Sequence, residues 1–281
     1  MNRYEQYCKN ATESNQYAMI DYTTGILRHH IKKYRMVRTL PCEALQPLIE
    51  FFYEISWNMS AGENQRLESL PAPSVHLIFM NGEAEISGPI KRRFSYLMEN
   101  QGCLFGAKFW PGAFRMICDK SPSIWTDKRL PAGLILGDSV LPVKNAFFRA
   151  DQAGERLSIV QKYLSCFIQS NEERIPIIKK AFADIERHKS IFTVAQLAAL
   201  QKMTVRSLQR LFKEYVGVSP KWAIQLFRLR EAAVQMESQS FIDFSRLALE
   251  LGYSDQAHFC KDFKRMTGQT PKSYALCSPE A

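Results

Sequence analysis

Residues 208–220 read LQRLFKEYVGVSP and residues 259–271 read FCKDFKRMTGQTP. Set 51 positions apart, they match as Leu208 with Phe259, Arg210 with Lys261, Phe212 with Phe263, Lys213 with Lys264, Gly217 with Gly268, Ser219 with Thr270 and Pro220 with Pro271. Seven agreements in thirteen positions exceed what composition supplies, and each has a structural meaning. Thr204 and Asp255 stand where a side-chain oxygen caps a helix N-terminus. Each glycine follows the last periodic residue, where a left-handed conformation ends a helix. Ser219-Pro220 and Thr270-Pro271 then restart one, with proline at the first position costing no hydrogen bond. A short apolar helix precedes each copy, Val194 to Leu200 and Phe244 to Leu251, containing Leu197-Ala198 and Leu247-Ala248. Small alanine there lets two helices cross closely, so the spacing predicts two helix-turn-helix units, about 193–217 and 243–268.

Within the first copy Leu208, Leu211, Phe212 and Tyr215 recur at helical spacing and form the buried stripe, leaving Arg206, Ser207, Gln209, Arg210 and Lys213 outside it. In the second, Phe259, Phe263 and Met266 are the stripe, with Gln256, Ala257, His258, Lys261 and Lys264 outward. A major groove admits one helix, and its discriminating groups are acceptors on guanine and an acceptor with a donor on adenine, partners suited to Arg and Gln. Arg206, Gln209 and Arg210, then Gln256, Ala257, His258 and Lys261, are therefore the candidate base contacts. Lys213 and Lys264 lie further along their helices and are the candidate phosphate anchors, which position without specifying. Ala257 is too short to hydrogen-bond a base, so the first unit is expected to dominate sequence choice. A helix from Pro220 to about Met236 joins the units and suits a spacing near one DNA turn, roughly 34 Å. Trp222, Phe227 and Leu229 read as core on that helix, and Arg228 as one half of a buried ion pair fixing its packing.

The chain has 281 residues and a net charge of +9, of which +6 falls from Ile175 onward, with 16 Lys and Arg against 10 Asp and Glu. Basicity favours a polyanion without choosing between nucleic acid and an anionic membrane. No apolar h-region follows the opening MNRYEQYCKN, and no apolar run approaches the roughly 18 residues of a membrane span, so a cytoplasmic protein is expected. Seven cysteines with no Cys-x-x-Cys pair argue against a disulfide framework or thiolate zinc site. His29-His30 lack an acidic or cysteine partner at ligand spacing, so neither metal nor cofactor is expected.

The polar stretch Ser170 to Arg174 is the expected boundary between domains 1–171 and 172–281, in an α+β chain with a small β-rich part first and an all-α part second. Val75 to Met80, Asn81-Gly82 and Glu83 to Ser87 read as a β-hairpin with a tight turn. Cys103 to Trp110 alternates as a second strand, ended by Pro111-Gly112. Further strands are expected around Ile55, Phe94 and Met116, and a helix from about Glu43 to Phe52. After Asp151 the residues Leu157, Val160, Leu164, Phe167 and Ile168 make one helical stripe.

From Thr193 to Tyr274 the chain resembles the DNA-binding domain of AraC/XylS-type regulators, through LQRLFKEYVGVSP (208–220), Arg228-Leu229 with Ala232, and LALELGYSDQAHFCKDFKRMTGQTPKSY (247–274). The resemblance implies seven helices with two helix-turn-helix units joined by a long helix. It also implies action on double-stranded promoter DNA, most often as an activator that recruits RNA polymerase, and base contacts at the exposed positions already chosen. PAPSVHLIF (71–79) and FGAKFWPGAF (105–114) are similar to a sensor-like domain found ahead of such domains, which implies a cupin-like or related small β fold that binds an effector, forms a homodimer, or both. His76 interrupts an apolar strand, and Lys108, Trp110 and Arg115 cluster near a strand end, making these four the candidate residues for an anionic or aromatic effector.

Two other functions were weighed. DNA-repair methyltransferases fused to this kind of domain carry a Pro-Cys-His-Arg nucleophile, whereas Pro41-Cys42 is followed by Glu43-Ala44, and Glu43 disfavours the thiolate. A non-specific architectural binder would not need Arg and Gln at groove-facing positions. The sequence thus predicts a non-enzymatic, sequence-specific transcription regulator, with no catalytic residue.

Overall fold

The computed structural model describes residues 34–168, 172–238 and 242–276. The expected boundary stretch therefore lies partly outside the described residues, as do His29-His30. A β-rich part comes first and a helical part second, as the sequence predicts.

Eight strands form: β1 Tyr34–Thr39, β2 Ile49–Asn58, β3 Asn64–Ser69, β4 His76–Met80, β5 Glu83–Ser87, β6 Phe94–Glu99, β7 Gln101–Phe109 and β8 Arg129–Pro131. Six make an antiparallel sheet in the order β1-β2-β7-β4-β5-β8, and β3 pairs with β6 in a separate ribbon. The predicted hairpin is β4–β5, turning through Asn81 and Gly82 at φ 52° and 80°.

Strand alternation gives the sheet two different faces. Phe52, Leu77, Phe79, Phe105, Ala107 and Phe109 point to one side and are buried against Val140, Phe147, Val160 and Leu164. Those partners come from α2 (Val140–Arg149) and α3 (Ala153–Ser165), which follow the four-residue α1 (Gly133–Leu136). Phe79 stacks on Phe147 with ring centroids 4.3 Å apart, a contact contributing about 0.5–1.5 kcal/mol beyond area burial. Leu157, Phe167 and Ile168 join this core too, so the predicted stripe after Asp151 completes the β-rich part. The opposite face carries Arg38, Phe51, Tyr53, His76, Ile78, Leu104 and Lys108 and turns toward the helical part.

Two expectations are corrected. The helix predicted over Glu43 to Phe52 is a short 3-10 turn, Glu43–Leu45, followed by β2. Leu45, Leu48, Ile49 and Phe52 are all buried at helix-like spacing. A bulge between Ile49 and Phe51 creates that spacing, because the extra residue turns Ile49 to the same side as Phe52. The strand expected around Met116 is a 3-10 turn, Ala113–Met116, which follows a left-handed Gly112 and buries Ala113 and Phe114.

The helical part contains α4 Arg174–Arg187, α5 Val194–Leu200, α6 Val205–Leu211, α7 Pro220–Ser238, α8 Phe244–Glu250, α9 Gln256–Thr267 and α10 Pro271–Leu276. It holds two cores. Leu197, Ala198, Leu208, Leu211, Phe212 and Tyr215 surround Ala223 and Ile224 of α7. Leu247, Ala248, Phe259, Phe263 and Met266 surround Leu226, Leu229, Ala232 and Met236 of the same helix. With 19 residues, α7 spans about 28 Å and is the shared spine of both units. Half-buried Trp222 packs against both cores. No helix among the described residues is long and apolar enough to cross a membrane.

Candidate nucleic-acid interface

The caps read from the sequence form in both units. Thr204 Oγ1 accepts the Ser207 N–H at 3.1 Å and opens α6, while Asp255 Oδ1 accepts the His258 N–H at 2.7 Å and opens α9. That second bond holds the Asp255 carboxyl below its ordinary range. The supporting helices are capped likewise, Thr193 accepting from Gln196 in a reciprocal capping box and Asp243 from Ser245 and Arg246. At the far ends Gly217 and Gly268 adopt φ 84° and 78°, the left-handed state the duplication implies. Ser219 and Thr270 then cap the restarted helices.

These ends orient the candidate base contacts. Arg206, Gln209 and Arg210 on α6 are exposed, as are Gln256, Ala257, His258 and Lys261 on α9 and both anchors, Lys213 and Lys264. Ser207 departs from expectation: it is half-buried, and its hydroxyl accepts a 2.9 Å bond from Thr204.

The two faces are not equally free. Gln256 Oε1 accepts from Ser245 Oγ at 2.8 Å, which leaves its amide N–H groups as donors. The His258 ring lies edge-on to Tyr253, with Nε2 3.7 Å from Asp262 Oδ2. After Leu211 the first recognition helix widens into a π turn, Phe212–Val216, closed by the Gly217 N–H on the Phe212 carbonyl at 2.9 Å. Lys213 stands on that turn, beyond the regular stretch that carries Arg206 to Arg210.

One residue that sequence reasoning missed holds the second unit in place. Asp262 is buried on α9, bonded by Gln225 Nε2 of α7 at 3.0 Å and paired with Arg265 at 2.9 Å. A buried carboxylate is tolerated only where partners meet its charge, and these fix α9 against the spine. Asp262 stands three residues after Phe259 and four before Met266, beside the buried stripe, and a polar residue there carries no apolar signal. Arg228 is corrected: among the described residues it forms no ion pair, and its guanidinium lies 3.9 Å from the Tyr253 ring centroid and 5.4 Å from that of Phe192. Burial holds it below its ordinary range.

A family model described as a helix-turn-helix domain matches residues 197–276. Over 92 residues the chain is 34% identical to an uncharacterized HTH-type transcriptional regulator of Haemophilus influenzae, covering 33% of this chain and 30% of that protein. It is 33% identical over 99 residues to the HTH-type transcriptional regulator GlxA of Rhizobium meliloti, 35% of this chain and 29% of the relative. It is 32% identical over 77 residues to the HTH-type transcriptional activator RhaS of Pectobacterium carotovorum, 27% of each. Among solved structures, the C-terminal domain of AraT, a response regulator from Geobacillus stearothermophilus, aligns with 25% identity over 38% of this chain and 88% of that one, at a TM-score of 0.35. The chain carries a helix-turn-helix domain. It spans about 30% of the length of the first curated relatives it matches.

Ahead of the helix-turn-helix domain, residues 37–131 match a domain of unknown function, DUF6597. The four effector candidates separate there. His76 and Lys108 face each other across β4 and β7 and line a cavity between the sheet and the helix-turn-helix domain. Trp110 and Arg115 stand off it: Trp110 Nε1 donates to the Gln46 carbonyl at 3.0 Å, and Arg115 lies over the Tyr215 ring. His76 Nδ1 is 3.0 Å from the Tyr53 hydroxyl. Burial, helped by Lys108 and Arg129, lowers the His76 pKa to about 3, and burial raises that of Tyr53.

The connections of the N-terminal sheet also reach both helix-turn-helix units. Ser121 Oγ donates to the Lys213 carbonyl at 2.7 Å, and Thr126 Oγ1 to that of Gly217 at 2.9 Å. A Cβ at Gly217 would lie 2.8 Å from the Pro122 backbone, and one at Gly268 would lie 2.8 Å from the Arg93 guanidinium. The capping glycines of both units therefore double as docking points for the N-terminal part.

Proposed function

We propose that the protein is a sequence-specific transcription regulator that reads promoter DNA with α6 and α9 and answers to a small-molecule effector through its N-terminal part. The observation carrying this reading is the pair of capped helices on one spine, each burying one stripe and leaving its donors exposed. Arg206, Gln209 and Arg210 read bases in the first unit. In the second, Gln256 and Lys261 read bases, while Ala257 and His258 contribute less, one for lack of a donor and the other because its ring is engaged by Tyr253. Lys213 and Lys264 anchor phosphates.

The sign of action is activation through RNA polymerase, in line with a relative named as a transcriptional activator. A gel-shift titration with a selected site and random DNA tests the reading: the selected site should bind at least about a thousandfold more tightly at physiological salt. Equal affinity for both DNAs would reduce the protein to a non-specific binder. Reporter transcription from that site, with and without the protein, tests activation, and a fall in transcription would reverse the assigned sign.

A further inference from the structure

Between the second face of the sheet and helices α4 and α7 lies a cavity of about 600 Å³. That volume is in the range of small-molecule sites. Much of the wall is apolar, including Ile55, Ile78 and Leu104 from the sheet and Ile185 and Phe227 from the helices. The charge is unbalanced, with six Lys and Arg against three Glu lining it among the described residues. Lys108 takes Glu50 at 2.9 Å, and Lys189 takes Glu231 at 2.6 Å.

Among the described residues, Arg230 has no such partner. One Nη donates to the Pro71 carbonyl at 3.2 Å, its Nε finds no acceptor, and Glu50 and Glu186 act on it only through space. Arg228 beside it leaves Nε and one Nη without acceptors. Lys108 and Arg230 lie deep in the molecule yet keep part of their surface accessible, and that surface faces the cavity. Buried guanidinium donors are costly unless an acceptor meets them. Neutral His76 adds an uncharged polar group next to Lys108.

We propose that this cavity binds an amphipathic organic acid, whose carboxylate is taken by Arg230 and Lys108 and whose apolar body lies along Ile55, Ile78 and Leu104. The site gives the effector reading above its ligand class and rests on that reading for its regulatory consequence. Lys108 belongs to the sheet and Arg230 to the spine of both reading units. One carboxylate between them ties the sensor part to the helix that sets the spacing of α6 and α9.

The test is calorimetric titration of the full chain with octanoate and 3-phenylpropionate, against the matched alcohols 1-octanol and 3-phenylpropanol, with inorganic phosphate as a bare anion. At least one acid should bind about tenfold or more tightly than its alcohol and than phosphate. Arg230→Gln and Lys108→Gln, one on each side of the cavity, should each weaken the acid by about tenfold. Acids binding no better than alcohols or phosphate, or binding undiminished in both variants, would overturn the site. The comparison of acid with alcohol uses the unaltered chain, so it decides even where a variant fails to fold. DNA binding measured on the same sample separates the two readings: intact DNA binding without acid binding removes the site and leaves the regulator. Arg230-dependent acid binding without DNA binding keeps the site and removes the regulator.

Discussion

Arg210 and Lys213 lie three residues apart, and the structure gives them different settings. Arg210 ends the regular part of α6 with its side chain exposed, whereas Lys213 stands on the π turn whose carbonyl is bonded to Ser121. Arg210→Ala should cost about 1–3 kcal/mol on the selected site and relax the preference at one base position. Lys213→Ala should weaken all sequences similarly and reduce the salt slope by about one. Binding isotherms on matched and mutated sites at several salt concentrations separate the two, and equal losses on specific and random DNA for Arg210→Ala would contradict its assignment. At the cavity floor, Gly106 lies between Tyr53 and Ile78 in register, and a Cβ there would sit 2.2 Å from the Tyr53 ring. The missing side chain lets the phenol cross β7 to His76, so Gly106→Ala should lower stability by about 1–3 kcal/mol in denaturant unfolding. His76 has its own pH signature. Its folded pKa lies below the ordinary 6.5, so the unfolded chain binds the extra proton first. The stability it contributes is complete above about pH 6.5 and is lost as pH falls toward about 3. His76→Gln should flatten that part of the stability profile.

Among the elements, those whose chemistry is local were legible. The caps at Thr204 and Asp255, the closing glycines and the Asn81-Gly82 turn each depend on a few adjacent residues, and the structure holds them where the spacing put them. What long-range pairing decides was not legible. The bulge at the start of β2 imitates a helical stripe, and only its partner β7 reveals the register. Strands β1, β3 and β8 owe their place to the partners they meet, and their own residues carry little alternation. The proposed acid site divides in the same way. His76 and Lys108 are cross-strand neighbours, but Arg230, which completes the cation pair, comes from a different domain. Asp262 gives the element scale its own test: Asp262→Ala removes the carboxylate that joins α9 to Gln225 of the spine. The substitution should cost about 1–3 kcal/mol of stability and weaken the half-site read by α9 more than that read by α6. Footprinting at each half-site checks this, and equal losses at both would place Asp262 in general stability only.

At the scale of the whole molecule, the N-terminal part holds the reading units by their closing glycines while leaving their outward faces exposed. Gly217→Ala puts a Cβ both into a left-handed backbone and against Pro122, and should cost more than about 1 kcal/mol. Gly154→Ala, in open space on α3, should instead stabilise the chain by about 0.4–1 kcal/mol. Thermal unfolding of the pair distinguishes a docking glycine from an incidental one. In the proposed reading, α7 presents two reading helices of unequal quality to one duplex, one helical turn apart. Selection of bound sequences from random DNA measures this directly. The account predicts two blocks of base preference centred about 10–10.5 base pairs apart. The stronger block should lose its preference at one position in Arg210→Ala, and the weaker at one position in Lys261→Ala. A single block, a spacing off the helical repeat, or a dominant block that answers to Lys261 would contradict it.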